Sequence, residues 1–454
     1  MSAKSTPKKT VKKTSDDEVV KKPVVRKVNK KRPQLLRGMK DILPQEQPYW
    51  EFVLESAAQT SRAYGYDRID VPVVEELNLF VRSIGTGTDV VDKEMYEFET
   101  KGGDEVALRP EFTAGICRSY IEHGMMNLPK PVKLWTNGPL FRYDRPQAGR
   151  YRQFHQVDWE IIGSPQSALD AELISLAYHL LTGLGLEVTC QINSLGTPET
   201  RKAYITALKD YLKPHKKNLD EDSQERLTKN PLRILDSKDP GTQAILEDAP
   251  QMIDFLDDES REHFMSVLEY LDEGDIPYRL SSRLVRGLDY YTHTAFEFIL
   301  KADEAELSPP ALIGGGRYNY LLQELGAPEE TPAIGMAMGV ERIILALKQA
   351  GIEGSPAPKP DVFLAQIGET ARKRALRLFE ELRQEGFVVT SNISKNKLSD
   401  QLSLASKAEA RVTLILGQKE MIDNTIIVRD MENGSQETIP QDDLIRSLRK
   451  QIKQ

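Results

Sequence analysis

Two periodicities alternate along the chain, and the points where one gives way to the other divide it into elements. Between residues 45 and 64, Trp50, Val53, Leu54 and Ala57 recur at helical spacing, which predicts an amphipathic helix. Residues 66–73 switch to strand character, with Pro72 near the end. Residues 106–109 predict a further strand, and Pro110 opens a helix in the first-turn position that tolerates its missing N–H. Residues 138–163 read as an antiparallel hairpin. Its outgoing strand covers 138–143, turn signals fall at Asp144-Arg145-Pro146 and Ala148-Gly149, and an aromatic, β-branched run covers 154–162. On that returning strand Phe154, Gln156, Asp158 and Glu160 share one face, and His155, Val157 and Trp159 the other. A strand with an amide and two carboxylates on one side is a poor core strand, because buried polar groups need partners. That face meets either a polar ligand or water.

Further along, 170–184 predicts an amphipathic helix and 188–193 a strand. Residues 197–275 are charged and helical, interrupted by Pro214, Pro231, Pro240 and Pro250, with no strand pattern. From 333 a small-residue strand turns through glycine into an apolar helix. Residues 361–454 alternate strand and helix, with strands expected at 362–367, 387–390, 411–416 and 425–428 and a closing helix at 441–452. The fold class is therefore α/β. The expected domains are a body from 34–196 and 276–350, a helical insertion at 197–275, a Pro-rich linker at 351–360 and a small α/β domain at 361–454.

Composition adds an asymmetry. The 454 residues carry a net charge of −8, yet residues 1–33 hold twelve basic and three acidic side chains, a surplus of nine that leaves −17 on the rest. Such an arm reads as disordered, and either as a solvated tail or as a salt-sensitive RNA contact. An acidic body that handles RNA must gather its arginines locally, as around Arg142 to Arg152. Cys117 and Cys190 build neither a disulfide framework nor a metal site. No apolar run is long enough to span a membrane, and the N-terminus lacks the apolar core of a signal peptide. Cytoplasmic residence is expected.

Several residues carry candidate chemistry. Glu111, at a helix start, is either a carboxylate favoured by the helix dipole or one that holds a substrate ammonium. Arg286-Gly287 places a guanidinium beside a position that tolerates close approach, with Tyr290 and Tyr291 on opposite faces of any strand. Gly314-Gly315-Gly316, then Arg317-Tyr318, lets backbone approach a flat ligand. Arg342 falls in the first turn of the helix from 340. No GxxxxGK[ST] loop, no strand-linked GxGxxG and no Cys/His cluster occurs, so any nucleotide is held another way.

These segments, in order, resemble the motifs of class II aminoacyl-tRNA synthetases in the form used by the histidyl-tRNA synthetase family. RGMKDILP with its helix and strand resembles the first class II motif, FRYDRPQAGRYRQFHQ the second, and the run from Ala333 to Arg342 the third. LRPEFTAG, RGLDYY and GGGRY resemble segments of histidyl enzymes, and Phe112 stands where some relatives carry glycine. The resemblance spans 34–454 and implies a mixed, mainly antiparallel catalytic sheet and a C-terminal anticodon-binding domain. It implies ATP as substrate with Mg2+ on its phosphates, no metal assigned to protein side chains, a homodimer, and histidine and tRNA as partners. Arg142 and Arg286 would be catalytic and, with Arg342, would bind ATP. Glu111, Thr113 and Gln156 would hold the α-amino group; Glu160, Tyr291 and Tyr290 would surround the imidazole. Arg145, Gln147 and Arg150 would meet the tRNA acceptor end. Two alternatives stay in view: a catalytically silent regulatory subunit of ATP phosphoribosyltransferase, and another class II enzyme such as a prolyl synthetase. The first usually erodes the RGLDYY region and lacks the C-terminal domain; the second would lack RGLDYY and GGGRY.

Overall fold

The structure, a computed structural model, describes residues 32–85, 88–147, 149–303, 310–356 and 359–452. Residues 1–31 of the basic arm, Ala148 of the hairpin turn, and Ala357 and Pro358 of the linker lie outside them.

The body is built on an eight-stranded sheet. Across it run Asp67–Arg68, Val132–Phe141, Gln153–Ile162, Ala333–Gly339, Ile313–Arg317, Thr292–Leu300, Val188–Ser194 and Tyr278–Leu280. The two outermost pairings are parallel and every inner one is antiparallel. The hairpin forms as its alternation predicts, with its first strand extended back to Val132. Period two then sorts the side chains. Val157, Trp159, Ile161, Ile334, Met336, Phe296 and Phe298 enter the largest core. Helices Gln47–Ala63, Ser167–Gly183, Asp258–Glu273 and Val340–Gln349 cover this face. The Trp159 indole N–H finds a partner, donating to Ser61 Oγ at 2.8 Å, as a buried indole must. Gln156, Asp158 and Glu160 therefore point to the opposite face, under the short helix Thr113–Glu122.

One buried ion pair pins sheet to helix. Arg317, fully buried on the core side, donates from Nε to both Asp170 oxygens at 3.1 and 3.2 Å. Its remaining nitrogens reach the carbonyls of Ser164 and Gln166. Burial alone would raise the Asp170 carboxyl, but Arg317 and His263 outweigh it and hold it at about 2.

Some expectations are corrected. The run 66–73 is not one strand: only Asp67–Arg68 joins the large sheet, and Val74–Glu76 belongs to a separate three-stranded sheet with Tyr96–Glu99 and Glu105–Leu108. Pro72, which has no N–H for a ladder, lies between them. The helix expected from Pro110 starts at Thr113. Every regular element between 198 and 273 is helical, and residues from Tyr204 to Met252 share a core of their own. The last of these helices, Asp258–Glu273, instead buries Phe264, Val267 and Leu271 in the main core. The C-terminal sheet orders Val389–Ser391, Val362–Gln366, Val412–Leu416, Thr425–Asp430 and Gln436–Pro440. Its last strand was not anticipated: it is an exposed, polar edge with no alternation to betray it.

Asp170→Asn leaves the buried Arg317 guanidinium without a counter-charge and should destabilise the body by about 3 kcal/mol, read by urea denaturation at pH 7. The carboxylate's contribution is present above its unfolded value of about 3.9 and is lost as pH falls toward 2, so the wild-type advantage should shrink in acid.

Candidate active site

The floor of the site is a stretch of sheet without side chains. Gly314 and Gly316 face the site, while Gly315 faces the core, where an added Cβ would meet Met336 and Phe296. Gly335 pairs with both Gly316 and Glu160. Long side chains lie flat over these positions. A Cβ on Gly314 would come 2.5 Å from an Arg286 nitrogen, and one on Gly316 would come 2.8 Å from the Tyr291 ring. A Cβ on Gly335 would coincide with the Glu160 carboxylate. Glycine is required here for room, since none of the three has a positive φ.

At one end of the floor stands Glu160, 1% exposed. Thr113 Oγ1 donates to its Oε1 at 2.7 Å, and the Tyr318 hydroxyl donates to its Oε2. Burial pushes the Glu160 carboxyl up to about 8, with Glu111 adding to the rise and the two hydroxyl donors opposing it. Tyr290 packs between phenols, 5.6 Å from the Tyr318 ring and 4.6 Å from Tyr291. Both expected tyrosines precede the strand Thr292–Leu300 rather than alternating within it, and both line the same cluster. Thr113, assigned by resemblance to the α-amino group, gives its hydroxyl hydrogen to Glu160 and keeps lone pairs that can accept.

Glu111 is buried beside this end. Its Oε1 accepts from the Ala114 N–H at 2.9 Å, and its Oε2 has no partner. It thus bonds to the helix start through one oxygen and leaves the other without a donor. Gln156, half-buried, stands on the strand opposite Gly138 and Gly339. Phe112 does not disturb the turn: its ring is fully buried, 4.4 Å from the Arg109 guanidinium.

Guanidinium groups gather at the other end. Arg286 forms an ion pair with Glu297 and lies 5.3 Å from the Tyr291 ring. Arg142 donates from Nε to the Pro110 carbonyl at 2.8 Å, which fixes its reach, and Arg342 donates to the Ala311 carbonyl at 2.7 Å. Burial depresses the Arg342 pKa first, and Arg150, Arg142 and Arg286 depress it further. Three guanidiniums thus lie near enough to act on Arg342, an arrangement that favours an anion among them. Arg145, Gln147 and Arg150 are exposed on the hairpin loop, with Arg150 paired to Asp144 at 3.2 Å.

Two contributors escaped the sequence reading. Tyr318 carried a usable signal, because it shares strand parity with Gly314 and Gly316. Glu341 carried none: its carboxylate accepts from the His155 backbone N–H at 3.0 Å and contacts Nδ1 at 2.9 Å, tying the helix that bears Arg342 to the hairpin.

Comparison with known proteins agrees with this geometry. Residues 38–343 match the family model described as histidyl-tRNA synthetase, and residues 361–451 that of an anticodon binding domain. A histidine–tRNA ligase of Dehalococcoides mccartyi is 46% identical over 417 residues, covering 92% of this chain and 99% of that protein. A histidyl-tRNA synthetase of S. aureus is 36% identical, with a TM-score of 0.76 over 92% of this chain and 100% of that one. A Bacillus halodurans chain described as an ATP phosphoribosyltransferase regulatory subunit/histidyl-tRNA synthetase is 20% identical, with a TM-score of 0.59 over 86% of this chain and 98% of that one, and shares the fold. The antiparallel sheet and its arginine-lined face are those of a class II aminoacyl-tRNA synthetase. Within that class, the chain belongs to the histidyl-tRNA synthetase family.

Gly335→Ala should displace the Glu160 carboxylate and lower histidine affinity at least tenfold while ATP affinity changes less than threefold, roughly the loss of one buried charged hydrogen bond. Calorimetric titration with each ligand checks it, and equal losses for both would contradict it.

Proposed function

We propose that this chain joins histidine to its cognate tRNA in two steps at the expense of ATP. The observation that carries the reading is the shared floor: an acid and phenols at one end, guanidiniums at the other. A histidine carboxylate oxygen attacks the α-phosphorus, pyrophosphate leaves, and a hydroxyl of the tRNA 3′ end then attacks the carbonyl carbon of histidyl-adenylate to release AMP. Two anions must approach each other in the first step. Arg142 and Arg286 meet that need, since a guanidinium stays charged and forks onto oxyanions. Their work is positioning and charge stabilisation at the phosphorus, and Arg342 steadies the outer phosphates. Glu160 accepts one imidazole N–H, and a tyrosine hydroxyl meets the other ring nitrogen. A substrate without these groups would leave buried polar atoms unpaired, which gives strong discrimination.

Mg2+, when bound with ATP, neutralises phosphate charge. Such an ion is usually held by one or two carboxylates together with substrate phosphates; among the described residues no group of three or more His, Cys, Asp or Glu side chains could hold a metal ion. Arg145, Gln147 and Arg150 would contact the acceptor end, and residues 361–454 the anticodon. Of the helical insertion expected at 197–275, we assign the part around the core from Tyr204 to Met252 as a unit of its own, with Asp258–Glu273 packed on the body. A homodimer is inferred from the family resemblance. A cytoplasmic location fits the two unpaired cysteines; among the described residues no helix is long and apolar enough to cross a membrane.

The regulatory-subunit reading is less supported, since the chain retains the RGLDYY segment and the C-terminal domain. Pyrophosphate exchange measured with each of the twenty amino acids should respond to histidine alone. Arg286→Ala should reduce that exchange by about 100-fold or more, the scale of losing one transition-state donor, in protein that still folds by circular dichroism. A folded variant of wild-type activity would remove Arg286 from the mechanism. A wild type silent toward histidine would return the regulatory reading.

A further inference from the structure

Asp158 sits on the site face between Gln156 and Glu160, and no role has been given to it. Its side chain is 2% exposed, and its Oδ1 is buried without any hydrogen-bond partner. An acceptor left in that state inside a fold is costly unless something else occupies it. Its cross-strand neighbours do not supply the donor. Ala337 on one side has no polar atom, and Thr136 on the other has a buried hydroxyl that is itself unpartnered. Arg109 is held by backbone carbonyls, donating to Pro139 at 3.0 Å and to Val71 at 2.6 Å.

An ammonium brings three N–H donors. Of the groups expected to receive them, Glu111 has Oε2 unpartnered, and the Thr113 hydroxyl, while donating to Glu160, keeps lone pairs that can accept. The Gln156 amide oxygen is a further acceptor on the same face, and Asp158 Oδ1, like Glu111 Oε2, is a buried carboxylate oxygen still without a donor. Electrostatics points the same way. Burial, then Glu160 and Glu111, drive the Asp158 carboxyl well above the ordinary range, and Arg142 and Arg109 only partly offset them. Three acidic groups crowded out of water favour a cation among them.

Resting on the histidine reading above, we infer that Asp158 is a substrate-binding residue whose carboxylate, with Glu111 and Gln156, grips the α-ammonium of histidine. Glu160 is thereby left to the imidazole, so that neighbouring acids on one strand read opposite ends of the same molecule.

The test compares three ligands by calorimetry on the full-length protein: histidine, histidinol, which keeps the amine but lacks the carboxylate, and 3-(imidazol-4-yl)propionate, which lacks the amine. Asp158→Asn should weaken histidine and histidinol by about tenfold or more, the scale of one lost charged hydrogen bond, and alter imidazolepropionate by less than threefold. Should the amide fail to fold, Asp158→Ser is the second variant and should give the same split. Equal losses across the three ligands would mean a merely structural role, and no loss would mean no contact; either overturns the assignment. Wild-type protein that binds none of the three would instead overturn the histidine reading itself.

Discussion

The site depends on one steric allowance. Glu160, Arg286 and Tyr291 can lie down against the sheet only because Gly335, Gly314 and Gly316 put no Cβ beneath them. A sheet normally projects a side chain at every second position. Here the middle strands give up that layer on one face, and the vacated depth is filled by polar groups reaching in from the hairpin and from the loop before Thr292–Leu300. The other face compensates with continuous apolar packing, from Trp159 through Met336 to Phe296. Glycine costs strand stability, and the buried Arg317–Asp170 pair, on the strand that carries all three consecutive glycines, fastens that strand to the helix below.

Depth also sets the electrostatics. Glu160 is a carboxyl held near about 8 by burial while accepting from two hydroxyls. At the far end Arg286 is paired to Glu297 and Arg150 to Asp144, and a polyphosphate would bring further negative charge to the arginines gathered there. A ligand that is cationic at one end and anionic at the other matches this gradient better than a neutral one.

Much of this was legible from local pattern. The parity of Gln156, Asp158 and Glu160 against Val157 and Trp159 follows from covalent geometry alone, and the hairpin needed only its turn residues and alternation. What escaped depended on partners far away in sequence. Arg317 and Asp170 are separated by 147 positions, and Glu341 and His155 by 186; neither pairing leaves a trace in composition or spacing. The run 66–73 reads as one strand because its residues favour extended backbone, whereas only Asp67–Arg68 pairs in the large sheet and the next paired strand, Val74–Glu76, begins beyond Pro72. Tyr318 was readable in principle, yet its role required knowing that its neighbours Gly314 and Gly316 form a floor and not a loop.

A crystal structure with a non-hydrolysable histidyl-adenylate analogue would test the shared floor most directly. The imidazole should lie within hydrogen-bond distance of Glu160, and the phosphate mimic should sit between the Arg142 and Arg286 guanidiniums. An analogue bound with its ring away from Glu160, or with its phosphate mimic touching neither arginine, would contradict the account.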